Sequence, residues 1–460
     1  MPYSSLFADV DIPLVDVWNL YMERSRDFPD DHPILIDGDT NRSYTFAQIR
    51  DLSAAFGRGL RHTFDWQKGD VLAFFAPNHI DTAVVNLGVL WAGGVASPAN
   101  PTYTAEELAS QLVPGSNPRN RQLIRKRTLR IYHTGTMGLP KGVMLTHYNM
   151  VANACQFDKF DLKLLNWELD AQLGVLPFFH IYGLGVVLNV SLLSGAKCVV
   201  MAKFDLAQAC QLIQDHRLTF VYVPPPIILA LGKHPLVSQY DLSSLRFVNS
   251  AAAPLSRDLV DAVWDRLGVM VKQGYGLTET SPAVSVQMFD EWRRYLGSVG
   301  RLVPNMQAKV VDPEGKELPP NEVCLLLKGP NVFQGYWSRP ELNKETFTED
   351  GWFKTGDVMY IDTSGNLFIT DRIKELIKYR FPSRTSRARS QAHRPAGVDG
   401  SEELAADIIE WLGSRVGPSK RLRGGVRFVK EIPKSPSGKI LRRILRDQMN
   451  KEEGGPKAKL

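Results

Sequence analysis

Cysteine is scarce in this sequence, and none of it is paired. Cys155, Cys198, Cys210 and Cys324 are the only four, and no two stand in a C-x-x-C arrangement. That excludes a zinc ribbon and a disulfide framework and fits a reducing compartment. A leader-like start is also missing. Met1-Pro2-Tyr3-Ser4-Ser5-Leu6 places no basic stretch ahead of an apolar core, so no secretory signal is expected. The longest apolar run, Leu184 to Leu193, is broken by Gly185, Asn189 and Ser191. It is too short and too polar to span a bilayer, and the chain reads as soluble. Aromatic residues are not interleaved with the basic stretches, and no nucleic-acid module is recognisable, so nucleic acid is not an expected partner.

What is present is a long chain of ordinary composition. At 460 residues, with 44% apolar and 23% charged residues, it exceeds the size at which a single core stops growing, and two or more domains are expected. The net charge of +6 is unevenly placed. From Arg372 onward there are 22 Lys/Arg against 10 Asp/Glu, and the first 371 residues hold the remaining 33 against 39. A mobile basic domain that reaches a polyanionic small ligand accounts for this asymmetry.

Helical and strand patterns alternate along the first half. Leu52 to Leu60 has helical spacing, Val71 to Phe75 reads as a buried strand, and Asp81 to Trp91 as a helix stopped by Gly93-Gly94. Further strands are expected near Cys198–Met201, Phe220–Val223 and Phe247–Asn249. This rhythm predicts an α/β fold, a largely parallel sheet covered by helices on both faces. From Ala308 onward, short strands and turn signals predict a smaller β-rich unit. Two segments stand apart. Val113–Arg130 carries five Arg and one Lys, and Phe381–Asp399 carries four Arg and two Pro. Neither has the apolar content to hold itself in a core.

Five segments point to chemistry. Tyr132 to Val143 mixes glycines with hydroxyl residues (Thr134, Gly135, Thr136, Gly138) and Lys141, a pattern that lets backbone N–H groups converge on phosphate oxygens. Its spacing is not that of a Walker loop, and Pro140 and Gly142 suggest a turn between strands instead. A plain Gly-rich hairpin has the same composition. Leu176 to Gly183 contains His180, which by itself is equally a core histidine. Gln273 to Pro282 contains Tyr275, Gly276, Thr278 and Glu279; a glutamate between threonines suits a hard cation such as Mg²⁺, or a solvated turn. Tyr336-Trp337 through Gly351 to Asp357, followed by Gly365-Asn366-Leu367 and Asp371 to Glu375, offers an aspartate able to accept two ribose hydroxyls, or a plain turn aspartate between strands. Pro433 to Ile440 presents Lys439 on a Ser-Gly turn, which taken alone reads first as a solvated lysine.

In order and content these five motifs resemble the acyl-adenylate-forming superfamily and, within it, 4-coumarate–CoA ligase-like acyl-CoA synthetases. The resemblance runs from Tyr44-Thr45-Phe46 to Lys439, interrupted at the two odd segments. It implies a large domain over 1–371 and a small mobile α+β domain over 372–460, both internally truncated, at 113–130 and 381–399. It also implies an acid–thiol ligase that uses ATP, Mg²⁺ and coenzyme A. Thr134, Gly135, Thr136, Gly138 and Lys141 would hold the outer phosphates. Glu279 would bind Mg²⁺, Thr278 would meet the α-phosphate, and Tyr275 and Gly276 would flank adenine. Asp357 and Arg372 would hold the ribose. His180 would stand at the carboxylate, Lys439 would bridge carboxylate and α-phosphate, and Lys374 would be the hinge.

The expected acyl pocket comprises Ile181, Tyr182, Val186, Ala251, Ala252 and Ala283. No buried acid or amide is evident among these segments, so an apolar acid, aryl or medium-chain, is expected. Several positions depart from the family pattern: Met137 and His133 replace hydroxyl residues, and Arg380-Phe381-Pro382 stands where the family has a thiol-site glycine. By composition the two odd segments read as frame-shifted or mis-spliced sequence. The alternatives are thus an adenylating enzyme with a non-CoA acceptor, or an impaired relative from a faulty gene model. The terminal Ala458-Lys459-Leu460 resembles a peroxisomal address read by an import receptor.

Overall fold

The computed structural model describes residues 2–112, 127–133, 141–160, 162–311, 324–372, 377–378, 384–385, 402–414, 426 and 428–429. Among these, nine strands form the largest sheet. From one edge they run Arg301–Leu302, Ala283–Val286, Met270–Gly276, Phe247–Ser250, Phe220–Val223, Ala171–Gly174, Lys197–Val200, Pro33–Asp37 and Ser43–Thr45. The six strands from Met270–Gly276 to Pro33–Asp37 are parallel, and both ends are closed by antiparallel pairs. The parallel strands are short and mostly buried on both faces, as a helix-covered sheet requires, with polar residues such as Gln172, Asn249 and Lys272 among the apolar ones. Alternate residues serve different cores: Phe220, Tyr222 and Phe247 face one, while Val221, Val248 and Val271 face the other.

A four-stranded sheet runs Val71–Phe75, Val95–Ala99, Arg127–His133, Lys141–Thr146. Val71–Phe75 forms as expected, but it is not buried. It is the edge strand, with Val71 39% and Phe75 47% exposed. Its apolar run marks pairing on one side only. Residues 127–130, expected to lack structure, join the strand Arg127–His133, which pairs antiparallel with Lys141–Thr146 and sets His133 opposite Lys141. Ladder hydrogen bonds come from the main chain, so a strand of β-formers such as Thr128, Ile131 and Tyr132 tolerates interspersed arginines. Residues 113–126 lie outside the described residues.

The β-rich unit is a five-stranded antiparallel sheet, Tyr3–Ser4, Gln307–Val311, Cys324–Lys328, Phe353–Ile361 and Leu367–Arg372. Beyond it, Ile377–Lys378 pairs with Arg384–Thr385, and a helix covers Glu402–Gly413. No helix among the described residues is long and apolar enough to cross a membrane.

Candidate active site

In an open parallel sheet, ligands bind beyond the carboxyl ends of the strands. Three of the expected segments leave that edge from three of the six parallel strands. Leu176–Gly183 follows Ala171–Gly174, Ala251–Ala253 follows Phe247–Ser250, and Tyr275–Thr280 ends Met270–Gly276.

The Tyr275–Thr280 segment is tightly built. Gly276 sits where a side chain would lie 2.2 Å from the Pro282 carbonyl oxygen, so only glycine fits. Thr278–Thr280 forms one turn of 3₁₀-helix with all three residues buried. The Thr280 hydroxyl accepts from the Leu277 N–H at 3.0 Å and donates to the Pro282 carbonyl at 2.5 Å. Tyr275 reaches across 82 residues of sequence, donating its hydroxyl to Asp357 Oδ2 at 2.5 Å. Asp357 is buried and follows Gly356, whose φ of +77° is a left-handed conformation that glycine takes without steric cost. The Asp357 N–H donates to Thr355 Oγ1 at 3.1 Å. Arg372 stands opposite Asp357 in the strand pairing.

Glu279 is 5% exposed and accepts a 2.7 Å hydrogen bond at Oε1 from the Tyr336 hydroxyl. Burial, and then the neighbouring Glu279 carboxylate, hold the Tyr336 phenol well above its usual range, so it stays a donor. Lys141 Nζ lies 5.3 Å from the centre of the same ring, a cation–π contact. The chain around Tyr336 joins both neighbours. Phe333 N–H donates to the Glu279 carbonyl at 2.9 Å, and Trp337 N–H to the Gly142 carbonyl at 2.8 Å.

Behind this turn stands a feature that sequence reasoning missed. The helix His147–Asp158 begins with a reciprocal cap, the Thr146 N–H donating to Asn149 Oδ1 and the Asn149 N–H to Thr146 Oγ1, both at 3.0 Å. Asn149, Asn153 and Gln156 then lie on one buried helix face. Asn149 donates to the Pro330 and Val332 carbonyls, each at 2.8 Å. Asn153 donates to the Ala283 carbonyl at 3.0 Å and accepts from the Ala283 N–H at 3.1 Å. Gln156 donates to the Pro304 carbonyl at 2.7 Å and to Asn331 Oδ1 at 3.3 Å. Asn331, fully buried, donates to the Thr280 and Ala283 carbonyls at 2.8 and 2.9 Å. These amides hold the Thr280–Ala283 backbone from beneath. The available sequence signal was a stripe of amides at i, i+4 and i+7 in an otherwise apolar helix.

On the acyl side, His180 donates its N–H to the Pro177 carbonyl at 3.0 Å, and its Nδ1 accepts from the Tyr182 N–H at 3.1 Å. Ile181 and Val186 are buried, the latter within the π-helical stretch Gly183–Leu188. A side chain at Gly185 would lie 3.2 Å from Pro282 Cδ, so this stretch packs on the segment that carries Ala283. Ala251 and Ala252 are half-buried, and Ala252 is held at φ +73°. The surroundings are less apolar than expected. Tyr182 donates its hydroxyl to the Asn249 carbonyl at 3.3 Å, and Asn249 pairs across the sheet with Tyr222 and Lys272. Asn249 and Lys272 are 4% and 0% exposed. Strand residues of alternate parity face opposite cores, and which face meets the pocket is set by the fold rather than by local sequence.

The structure thus joins Tyr275 to Asp357 and, through Tyr336, Lys141 to Glu279, with Gly276 and Thr278 in the same turn and Ala283 opposite Gly276; His180, Ile181, Tyr182 and Val186 belong to the segment that packs on Pro282 through Gly185. Thr134, Gly135, Thr136, Gly138, Lys374 and Lys439 lie outside the described residues, as does the side chain of Arg372. A buried carboxylate among hydroxyl oxygens suits Mg²⁺. Among the described residues no cluster of three or more His, Cys, Asp or Glu could hold a metal by itself.

Comparison with known proteins agrees with this architecture. A family profile described as AMP-binding enzyme matches residues 22–114 and 128–337, breaking off and resuming within the arginine-rich segment Val113–Arg130. A 4-coumarate–CoA ligase of Pinus taeda is 34% identical over 528 residues, covering 97% of both chains. A probable 4-coumarate–CoA ligase of Dictyostelium discoideum is 31% identical over 542 residues, again covering 97% of each. Both matched stretches exceed the 460 residues of this chain, so each relative carries residues without a counterpart here. Among solved structures, ATP-bound MatB from Rhodopseudomonas palustris superposes with a TM-score of 0.81 at 24% identity, covering 94% of this chain and 98% of its own. The o-succinylbenzoate CoA synthetase of Bacillus subtilis, solved with its acyl-adenylate intermediate, gives 0.78 at 21%, covering 97% and 99%. At these identities the structures show the shared fold; the sequence matches show the family. The chain belongs to the AMP-binding enzyme family, as a relative of the 4-coumarate–CoA ligases.

Proposed function

We propose that this protein is an ATP-dependent acid–thiol ligase that adenylates an aryl or medium-chain carboxylic acid and passes the acyl group to coenzyme A. The observation that carries the reading is the meeting of separate motifs at one sheet edge. Tyr275 is bonded to Asp357, and Tyr336 to Glu279 with Lys141 across its ring.

Attack of a carboxylate on a phosphorus surrounded by negative oxygens needs charge neutralisation and alignment more than covalent help. Asp357 and Tyr275 would orient the adenosine, and Lys141 with Thr134–Gly138 would hold the outer phosphates. His180 would fix the carboxylate, and Lys439 would supply the ammonium between carboxylate and α-phosphate. Thr278 would meet the α-phosphate, and Glu279 would hold Mg²⁺, which when bound supplies further neutralising charge. Pyrophosphate leaves, and the acyl-adenylate is then activated toward a thiolate. The 34% identity to a 4-coumarate–CoA ligase supports coenzyme A as the acceptor over a carrier-protein thiol. We further propose that Ala458-Lys459-Leu460 directs the protein to peroxisomes through an import receptor.

Lys439→Ala is expected to abolish acid-dependent ATP–pyrophosphate exchange while leaving ATP binding nearly intact. An unchanged exchange rate in that variant sinks the assignment. AMP release measured with and without coenzyme A separates a ligase from an enzyme that stops at adenylation. Saturable turnover with amino acids alone contradicts the substrate class.

A further inference from the structure

We infer that Tyr336 is a positioning residue for the metal–phosphate end of the site, its hydroxyl fixing the rotamer of the Glu279 carboxylate that faces Mg²⁺. This rests on the proposed role of Glu279 and gives a role to Tyr336, which opens the fourth motif and to which the family resemblance assigned none. A glutamate carries three rotatable side-chain bonds, and a carboxylate that must meet a small octahedral cation gains when an outer partner fixes its direction. Tyr336 is built for that. It is 8% exposed and donates to Glu279 Oε1 at 2.7 Å. Its ring packs edge-on against Phe333 at 5.0 Å between centroids. Its backbone is pinned as well: the Tyr336 N–H donates to Asn343 Oδ1 at 2.7 Å, and Asn343 Nδ2 returns a bond to the Tyr336 carbonyl at 3.0 Å. The same ring lies under Lys141 Nζ. One rigid side chain therefore fixes the spacing between the metal ligand and a phosphate-binding lysine.

The test is Tyr336→Phe, which removes only the hydroxyl and keeps the ring packing. Mn²⁺, which reports its own binding by electron paramagnetic resonance, is titrated into the full-length protein with ATP present. Outer-sphere partners of metal ligands are typically worth about 10–100-fold in metal affinity. The half-saturating Mn²⁺ concentration is therefore expected to rise about tenfold, with metal-free ATP binding in EDTA little changed; the melting temperature falls by a few degrees, because the buried Glu279 Oε1 loses this donor. Glu279→Gln is run beside it. If Glu279→Gln shifts the titration and Tyr336→Phe does not, the positioning role is overturned and the Glu279 reading stands. If neither shifts it, Glu279 is not a ligand and both fall. If Tyr336→Phe weakens ATP binding equally with and without metal, the hydroxyl serves the nucleotide pocket at large and the inference is overturned.

Discussion

Asn331→Ala tests the account of how the Thr278–Ala283 turn is held. Asn331 is fully buried and donates to the Thr280 and Ala283 carbonyls at 2.8 and 2.9 Å, while Gln156 donates to its Oδ1. The substitution leaves these partners unequally affected. Gln156 keeps the Pro304 carbonyl, and the Ala283 carbonyl keeps the Asn153 amide at 3.0 Å. Thr280 loses the amide that meets its carbonyl here, and a buried acceptor left without its donor costs about 1–3 kcal/mol. The small cavity adds roughly 1 kcal/mol, for a total of about 2–4 kcal/mol. In a domain of this size each kcal/mol moves the melting temperature by about 2 °C, so a fall of about 4–8 °C is expected by scanning calorimetry. The sharper measurement is the double variant with Asn153→Ala. Each single change leaves the Ala283 carbonyl one donor, and together they remove both, so the double loss is expected to exceed the sum of the singles by about 1–3 kcal/mol. Additive losses, or an Asn331→Ala protein melting with the wild type, would refute the claim that these amides share one load.

Ala252 is held at φ +73°, a region that costs a non-glycine residue roughly 1–2 kcal/mol. After the entropy cost of glycine, Ala252→Gly is expected to raise the melting temperature by about 1–2 °C, and a lowered value would show the loop gains more from its methyl group than the strain costs. Burial pushes the pKa values of His32 and His147 below the ordinary 6.5, and the His147 Nδ1 accepts from the Val17 N–H at 3.1 Å. The unfolded chain therefore binds these protons first. Their contribution to stability is intact above pH 6.5 and is lost as the pH falls through that value. Melting temperatures from about pH 7.5 to 5.5 are expected to fall, and less so in His147→Asn, which keeps an acceptor that does not titrate near neutrality; identical slopes in both proteins would count against it. A fluorescent reporter ending in Gly454 to Leu460 is expected in peroxisomes, and one that stays in the cytosol refutes the proposed address.

Much of the fold was written in local sequence, because hydrophobic periodicity and turn chemistry are local properties. The helix Asp81–Trp91, the strands Phe220–Val223 and Phe247–Ser250, and the parallel α/β class all follow from them. So do the five motifs and the family they indicate, since four of them keep their signature within about a dozen contiguous residues and the remaining one, the fourth in order, in short blocks between Tyr336 and Glu375. What the sequence could not decide is what depends on neighbours distant along the chain. Val71–Phe75 has the composition of a core strand and became an edge, because exposure is set by how many strands pair beside it. Asn249 and Lys272 sit in unremarkable strands and become buried polar groups behind Tyr182 only through cross-strand register. Tyr336 and Glu279 lie 57 residues apart, and Asn331 and Gln156 lie 175 apart. No local pattern announces such a pair, because a hydrogen bond 2.7 Å long is a property of packed geometry. The residue types named the chemistry, and tertiary packing chose which of them face one another.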